Sequence, residues 1–186
     1  MKKCAVWLLS FLFLAGCSKQ PEEIKVGMEL RSKLLQAESC SFEVEITADY
    51  GNKINAFVMD CIADPDGDIS FTVIKPDSIS GISGKLTGEG GKLTFDETAL
   101  HFELMTEEQL SPISAPWIFL STLRKGYITS VWKENNVIQL SLDDSFDENP
   151  LHVDIWLNSQ NAPNYADILY DGRKILSLNV INFEIL

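Results

Sequence analysis

Alternating apolar and polar residues, beginning at Cys40, are the feature that most restricts the fold of this chain. Acidic and hydroxyl side chains separate apolar residues at every second position, in Cys40, Phe42, Val44, Ile46 and Ala48. After a turn at Gly51-Asn52 the alternation returns in Phe57, Met59 and Cys61. A period of two is that of a β-strand with one buried face, so the two segments predict a β-hairpin.

Further short apolar segments follow, separated by turn residues such as Asp66-Gly67 and Asp171-Gly172. They predict strands over residues 69–73, 82–86, 93–95, 100–104, 127–133, 137–142, 151–157, 165–170 and 174–185. No helices alternate with these strands, so hairpins must join neighbours in an antiparallel sheet. A sheet of about eleven strands twists, and it must curl, split or close.

An amphipathic helix is predicted before the first strand. Between Ile24 and Leu35 apolar residues recur mostly three or four positions apart, with charged residues between them. The helix is expected to end before Ser39 and to pack on the sheet of its own domain. A helix that binds a partner protein is the alternative.

A second helix is predicted where the β pattern is interrupted. Pro116 suits a first helical turn, Arg124 and Lys125 suit a last turn, and Gly126 suits the residue just beyond it. The helix is apolar around most of its circumference, in Trp117, Ile118, Phe119, Leu120 and Leu123.

The N-terminal segment has the composition of an export signal. Two lysines precede an apolar run over residues 5–14, and the small residues Ala15 and Gly16 come directly before Cys17. The run is too short to cross a hydrocarbon core, which takes about 20 residues.

Residues 14–17, Leu-Ala-Gly-Cys, resemble the lipobox of bacterial lipoproteins. The resemblance implies that the sulfur of Cys17 receives a diacylglyceryl group and that the signal is cut just before it. The chain then divides into a signal peptide (1–16), an acylated cysteine with a tether (17–23) and a single domain (24–186). An exported protein is expected, anchored by acyl chains to the extracytoplasmic face of the cell membrane. An ordinary signal peptide that ends in a cysteine is the alternative.

The net charge of the chain argues against nucleic acid and anionic lipid as partners. The formal net charge is −12, and loss of Lys2 and Lys3 with the signal makes it −14. Such a chain does not attract nucleic acid or anionic lipid, so the acyl chains must supply the membrane affinity.

Two cysteines remain once Cys17 is lipidated and Cys4 is removed. A two-residue loop at Tyr50-Gly51 would place Cys40 directly opposite Cys61, which predicts a cross-strand disulfide in an exported protein. Two buried free thiols are the alternative.

No metal site and no cofactor are predicted. Only His101 and His152 are present, and neither has ligand spacing from a cysteine. The turn at Asp64-Asp68 lacks the remaining ligands of a calcium loop.

The order of these elements resembles the LolA/LolB superfamily of lipoprotein carriers. The resemblance implies a mainly β fold, in which a curved, unclosed antiparallel half-barrel carries an N-terminal helix and an inserted lid helix. In that family the concave apolar face receives acyl chains.

Alternation within this sequence supplies the candidate ligand contacts. The sheet residues are Phe42, Val44, Phe57, Met59, Phe71 and Val73, and the helix residues over the mouth are Trp117, Phe119 and Leu120. The same side chains suit an ordinary core.

The leading function is therefore a non-catalytic, membrane-tethered monomer that binds a lipid or the acyl chain of another lipoprotein. The alternative is a structural or regulatory envelope lipoprotein that uses the same fold as a docking surface. No enzyme is predicted, because no nucleophile–base or metal constellation is present.

Overall fold

The computed structural model describes residues 22–51, 54–95, 98–103, 105–106 and 109–186. An eleven-stranded antiparallel sheet, two α-helices and a two-stranded ribbon confirm the predicted fold class. Cys17 and the predicted signal peptide lie outside the described residues. Neither described helix is long and apolar enough to span a bilayer.

The strands follow one another closely along the chain. They are β1 (Cys40–Asp49), β2 (Ile54–Ala63), β3 (Ile69–Lys75), β4 (Ser83–Thr87), β5 (Gly90–Phe95), β6 (Thr98–Phe102), β7 (Met105–Thr106), β8 (Gln109–Leu110), β9 (Tyr127–Glu134), β10 (Val137–Asp143), β11 (His152–Leu157), β12 (Pro163–Tyr170) and β13 (Arg173–Ile185). The helices are α1 (Glu22–Gln36) and α2 (Ala115–Lys125), and a 3-10 turn at Pro112–Ser114 leads into α2.

The first and last strands meet at the centre of the main sheet. Its order is β6-β5-β4-β3-β2-β1-β13-β12-β11-β10-β9, so β6 and β9 are the two edges and the sheet does not close. The chain passes from one edge to the other between β6 and β9, and α2 lies in that connection. The order therefore brings α2 across one face of the sheet.

One face of the sheet forms the core together with both helices. On β1 the side chains of Phe42, Val44, Ile46 and Ala48 are buried, whereas the residues between them are partly or fully exposed. The same alternation holds on β3, β10 and β11. The period-two pattern of the sequence thus predicts correctly which face is buried.

The predicted helix α1 is confirmed, but only part of its apolar stripe is buried. Leu30 and Leu34 are 6% and 2% exposed, whereas Met28 and Leu35 are 50% and 51% exposed. Acidic residues occupy the first turn and Lys33 the last, as the helix dipole favours.

The register of the first hairpin corrects one prediction. Cys40 lies opposite Ala63, and Cys61 lies opposite Phe42. The reason is the loop: Asp49 pairs with Ile54, so four residues, not two, connect the strands. Phe42 accordingly does not face Met59, which lies opposite Val44.

The predicted disulfide is therefore absent, and Cys40 and Cys61 are buried free thiols. They point to the same face of adjacent strands but are displaced by two residues along the ladder. Diagonal neighbours of this kind are about 7–8 Å apart, which exceeds the usual reach of a disulfide.

The ribbon of β7 and β8 was not predicted from the sequence. It pairs Met105 with Leu110 and lies in the connection before α2. Two-residue strands are too short to produce a recognisable alternation.

Candidate ligand site

The six sheet residues predicted to contact a ligand form one continuous surface. They lie on the inner face of the neighbouring strands β1, β2 and β3. The register places Val44 opposite Met59, and Met59 opposite Val73. One row along, Phe42 lies opposite Cys61, which lies opposite Phe71. The sequence prediction thus identifies a real apolar patch.

Helix α2 lies directly on this patch. The ring of Phe119 contacts Phe42 edge-on at a centroid distance of 5.8 Å. It also contacts Phe183 of β13 at 6.3 Å, and Phe42 and Phe183 are 5.7 Å apart. The three rings form a cluster to which β1, β13 and α2 contribute one ring each. Phe183 was not among the predicted site residues.

The space between sheet and helix is filled in this conformation. Val44, Met59, Phe119 and Leu120 have 0% exposed surface. An open cavity wide enough for an acyl chain would leave accessible surface on the side chains that line it. The described side chains themselves therefore occupy the concave face.

Trp117 differs from the other predicted helix residues because it is only partly buried. A Cβ placed on Gly88 would lie 3.5 Å from Cζ2 of Trp117, so the ring rests against the turn between β4 and β5. Trp117 thus lies at the rim of the apolar layer, where it meets solvent.

Arg124 fixes the C-terminal half of α2 to the turn that follows β2. Its side chain is 7% exposed, and Nη1 donates to the carbonyl oxygen of Asp64 over 3.4 Å while Nη2 donates to that of Pro65. No hydrogen-bond partner among the described residues reaches its Nε. The sequence indicates only that a basic residue suits this helical turn and gives no sign that it is buried.

The turn itself is shaped by the Asp64 carboxylate. Asp64 Oδ1 accepts backbone N–H groups from Asp66, Gly67 and Asp68, at 3.1, 3.0 and 3.0 Å. Gly67 has a φ of +92°, which favours glycine. Lys85 lies 3.5 Å from Asp64 and 2.9 Å from Asp68. These contacts account for the acidic turn without a bound ion.

The end of α2 is held by α1. Arg31 Nε donates to the carbonyl oxygen of Leu123 over 2.9 Å, and Nη2 donates to that of Gly126 over 2.7 Å. A Cβ on Gly126 would lie 2.6 Å from the Thr122 oxygen, so close approach of the chain explains this glycine. Its φ of −67° is not left-handed.

Burial makes both core thiols weak acids. It raises the pKa of Cys40 to about 12, although the positive charge of Arg124 acts in the opposite direction. Burial, together with the charges of Asp60 and Cys40, also raises the pKa of Cys61. Neither thiol has the lowered pKa of a nucleophile.

The opposite face of the sheet carries open grooves of a different character. One of about 770 Å³ lies over β2 to β5, and most of the residues that line it carry hydroxyl or charged side chains: Asp60, Ser70, Thr72, Ser83, Lys85, Lys92 and Thr94. Unlike the filled space beneath α2, this groove is open to solvent.

His152 lies between two carboxylates on this same face. Its Nδ1 is 2.7 Å from Asp143 Oδ1, and its Nε2 is 3.4 Å from Asp154 Oδ1. Ser141 donates to Asp154 over 2.5 Å and not to the histidine, so these residues are not a nucleophile–base pair. In the part of the chain that the structure describes, no three His, Cys, Asp or Glu side chains are placed to hold a metal ion.

Comparison with known proteins finds similarity in structure alone. No protein-family model matches the chain, and no curated protein matches it. Among solved structures, it is similar to the LolA superfamily protein NE2245 from Nitrosomonas europaea, at 8% identity and a TM-score of 0.46, over 86% of this chain and 93% of the other.

Two further structures are of lipoproteins. LprF from Mycobacterium bovis is 12% identical with a TM-score of 0.43, over 89% of this chain and 94% of the other. One chain of the complex between the Clostridioides difficile CwlD amidase and the GerS lipoprotein is 12% identical with a TM-score of 0.47, over 91% of this chain and 99% of the other. The structural neighbours are thus LolA-superfamily and lipoprotein structures at low identity.

Proposed function

We propose that this chain is a membrane-anchored, non-catalytic protein of the bacterial cell envelope that binds a hydrophobic ligand between its curved sheet and α2. Cys17 carries the acyl anchor, and residues 18–23 tether a monomeric domain to the extracytoplasmic face of the membrane. The ligand is a lipid or the acyl chain of another lipoprotein.

One observation carries the proposal: the apolar helix α2 is buried on nearly every side, although the sheet on which it packs does not close into a barrel. Of the eleven residues of α2, eight are buried, and only Trp117, Ser121 and Lys125 reach solvent. The helix thus occupies the concave space that a ligand would need. In this proposal the described conformation is the closed, ligand-free state.

Ligand entry then requires α2 to separate from the sheet. Exposing the buried side chains of Ile118, Phe119, Leu120 and Leu123 would cost about 6–12 kcal/mol, at about 1.5–3 kcal/mol each. Burying an acyl chain of about 15 methylenes contributes about 12 kcal/mol in return. The free energy gained by burying a long acyl chain thus matches the cost of exposing these side chains. A long acyl chain is therefore a ligand of suitable size, and a short one is not.

The contacts of α2 indicate how it would move. Arg31 holds its C-terminal end, whereas Trp117 near its N-terminal end lies at the rim. We therefore infer that the ligand enters beside Trp117 and reaches Phe42 and Met59 from there. The predicted contacts Val44, Phe57, Phe71 and Val73 line the same patch.

A docking protein without an internal ligand is the second candidate. The observation that favours it is the complete burial of Val44, Met59, Phe119 and Leu120, which leaves no open space in the closed state. In that case the buried side chains between the sheet and α2 stabilise the fold and bind no ligand.

Ligand analysis of the purified protein distinguishes the two. Mass spectrometry of the mature chain under native conditions should find long-chain acyl species bound to the folded domain. Trp117→Ala should weaken uptake of a fluorescent fatty acid and leave the circular dichroism spectrum unchanged. Leu35→Ala, at a site on α1 that is 51% exposed, is the control and should change neither. A folded, lipid-stripped domain with no uptake would support the docking candidate.

A further inference from the structure

The start of α1 lies at the β9 edge of the sheet. A Cβ on Gly27 would lie 3.1 Å from Cδ2 of Leu140 in β10 and 3.6 Å from Cδ1 of Ile128 in β9. Glu22 precedes Gly27 by five residues, which is about 7.5 Å of helix. Glu22, the first described residue, therefore lies close to β9 and β10.

The chain length before α1 limits how far the anchor can be. Five Cα–Cα steps lead from Cys17 to Glu22, and they span at most about 18 Å when fully extended. An acyl group on Cys17 would consequently hold the β9 side of the domain close to the lipid headgroups. The other edge, β6, is ten strands away.

Four large apolar side chains are exposed on this β9 side. Trp132 is 66% exposed and Tyr127 is 41% exposed on β9, and Val137 is 40% exposed on β10. Phe146, in the loop after β10, is 80% exposed and its ring centroid is 3.5 Å from that of Tyr127. We call Tyr127, Trp132, Val137 and Phe146 the β9 patch.

The chemistry of the β9 patch suits the headgroup region of a bilayer. Trp and Tyr combine an apolar ring with a polar group and concentrate where lipid meets water. Lys133 and Glu134 follow Trp132, and Asp147 and Glu148 follow Phe146, so the surroundings do not favour an anionic surface. The charges are compatible with zwitterionic lipid.

We propose that the β9 patch is a second membrane contact, which lies against the same bilayer that holds the Cys17 anchor. This inference rests on the anchoring part of the proposed function and is independent of any internal ligand. The contact gives the tethered domain a fixed orientation, with β9 towards the lipid and the grooved face over β2 to β5 away from the anchored edge.

A vesicle experiment tests the orientation directly. The mature chain from Cys17 onward is coupled through its Cys17 thiol to a maleimide phospholipid in phosphatidylcholine vesicles; Cys40 and Cys61 are buried and remain unmodified. Half of the vesicles contain brominated phosphatidylcholine, which quenches tryptophan only on contact. Trp132 is one of three tryptophans after Cys17, with Trp117 and Trp156.

Because Trp117 borders the proposed ligand entry, every chain in this experiment carries Trp117→Phe. Emission should be lower in brominated vesicles, and Trp132→Phe should abolish the difference. Trp156→Phe is the matched control and should retain it. Equal emission in both vesicle types, or quenching that persists in Trp132→Phe, would overturn the proposal and leave the β9 patch to a protein partner. The chemical coupling supplies the lipid, so this result stands apart from whether the cell acylates Cys17. That question is answered separately by Cys17→Ala in living cells.

Discussion

The guanidinium of Arg124 donates to the backbone carbonyl of Asp64 across 60 positions of sequence, from the last turn of α2 to the turn after β2. The contact joins the inserted helix to the first half of the sheet. It is formed by a charged side chain that is 7% exposed. Arg124 therefore helps to hold α2 in place, together with Arg31 of α1.

Arg124→Ala should lower the free energy of unfolding by about 3 kcal/mol, because hydrogen bonds from a charged group contribute about 1.5–3 kcal/mol and two carbonyl oxygens lose their donor. Urea denaturation followed by circular dichroism measures the change. Lys125→Ala, at the exposed neighbouring position, should stay within about 0.5 kcal/mol of wild type. Equal stability of both variants would show that the contact does not hold α2.

Phe119→Ala should remove about 3–5 kcal/mol of stability, because it leaves a cavity between Phe42 and Phe183. Thermal unfolding of the variant and of Leu35→Ala gives the comparison. The exposed side chain at position 35 should contribute less than about 0.5 kcal/mol. A small effect at Phe119 would mean that the three-ring cluster is not packed as described.

The core thiols should be unreactive in the folded protein. In the mature chain from residue 17 onward, with Cys17→Ala, a disulfide-exchange reagent such as Ellman's should release no thiolate at pH 8 until denaturant is added, and then two equivalents. Rapid labelling of the native chain would contradict the burial of Cys40 and Cys61.

Alkaline pH should destabilise the fold through the same thiols. A raised pKa in the folded state means that the stabilising contribution is complete below the pKa of the unfolded thiol, about 9, and is lost as pH rises towards the folded value for Cys40, about 12. Each thiol then contributes a slope of about 1.4 kcal/mol per pH unit. Stability measured from pH 8 to 11 should fall less steeply in a Cys40→Ala/Cys61→Ala variant. Parallel slopes would contradict the prediction.

Anchoring at Cys17 is tested in cells. Cys17→Ala should block acylation and move the protein from the detergent phase to the aqueous phase in a partition assay. Cys4→Ala, within the predicted signal, should still yield detergent-phase protein. A Cys17→Ala protein that loses its signal yet partitions like wild type would refute the anchor.

The sequence predicts the strand pattern well because alternation reports burial directly. Val44, Met59 and Val73 all lie on the predicted inner face. It does not predict the register, because a shift of two residues keeps every side chain on its face. The loop after Asp49 suits either a short or a longer turn, so Cys40 was placed opposite the wrong residue.

The contact between Arg124 and the turn after β2 could not be predicted from the sequence, for a different reason. Arg124 is buried only because the turn of residues 64–68 folds over it, and no local pattern reports a contact between such distant segments. The packing of Phe183 was not predicted for a similar reason, because its ring partners Phe42 and Phe119 belong to β1 and α2. The sequence thus predicted the buried face of the sheet, but not the full set of side chains that pack between the sheet and α2.

Titration of the lipid-stripped mature domain with a fluorescent long-chain fatty acid shows whether α2 separates from the sheet to admit an acyl chain. We expect saturable binding of one probe per domain, weaker in Trp117→Ala and tighter in Arg124→Ala, where α2 is held less firmly. A short-chain probe should not bind. Folded wild-type and Arg124→Ala domains that both show no saturable uptake would contradict this expectation.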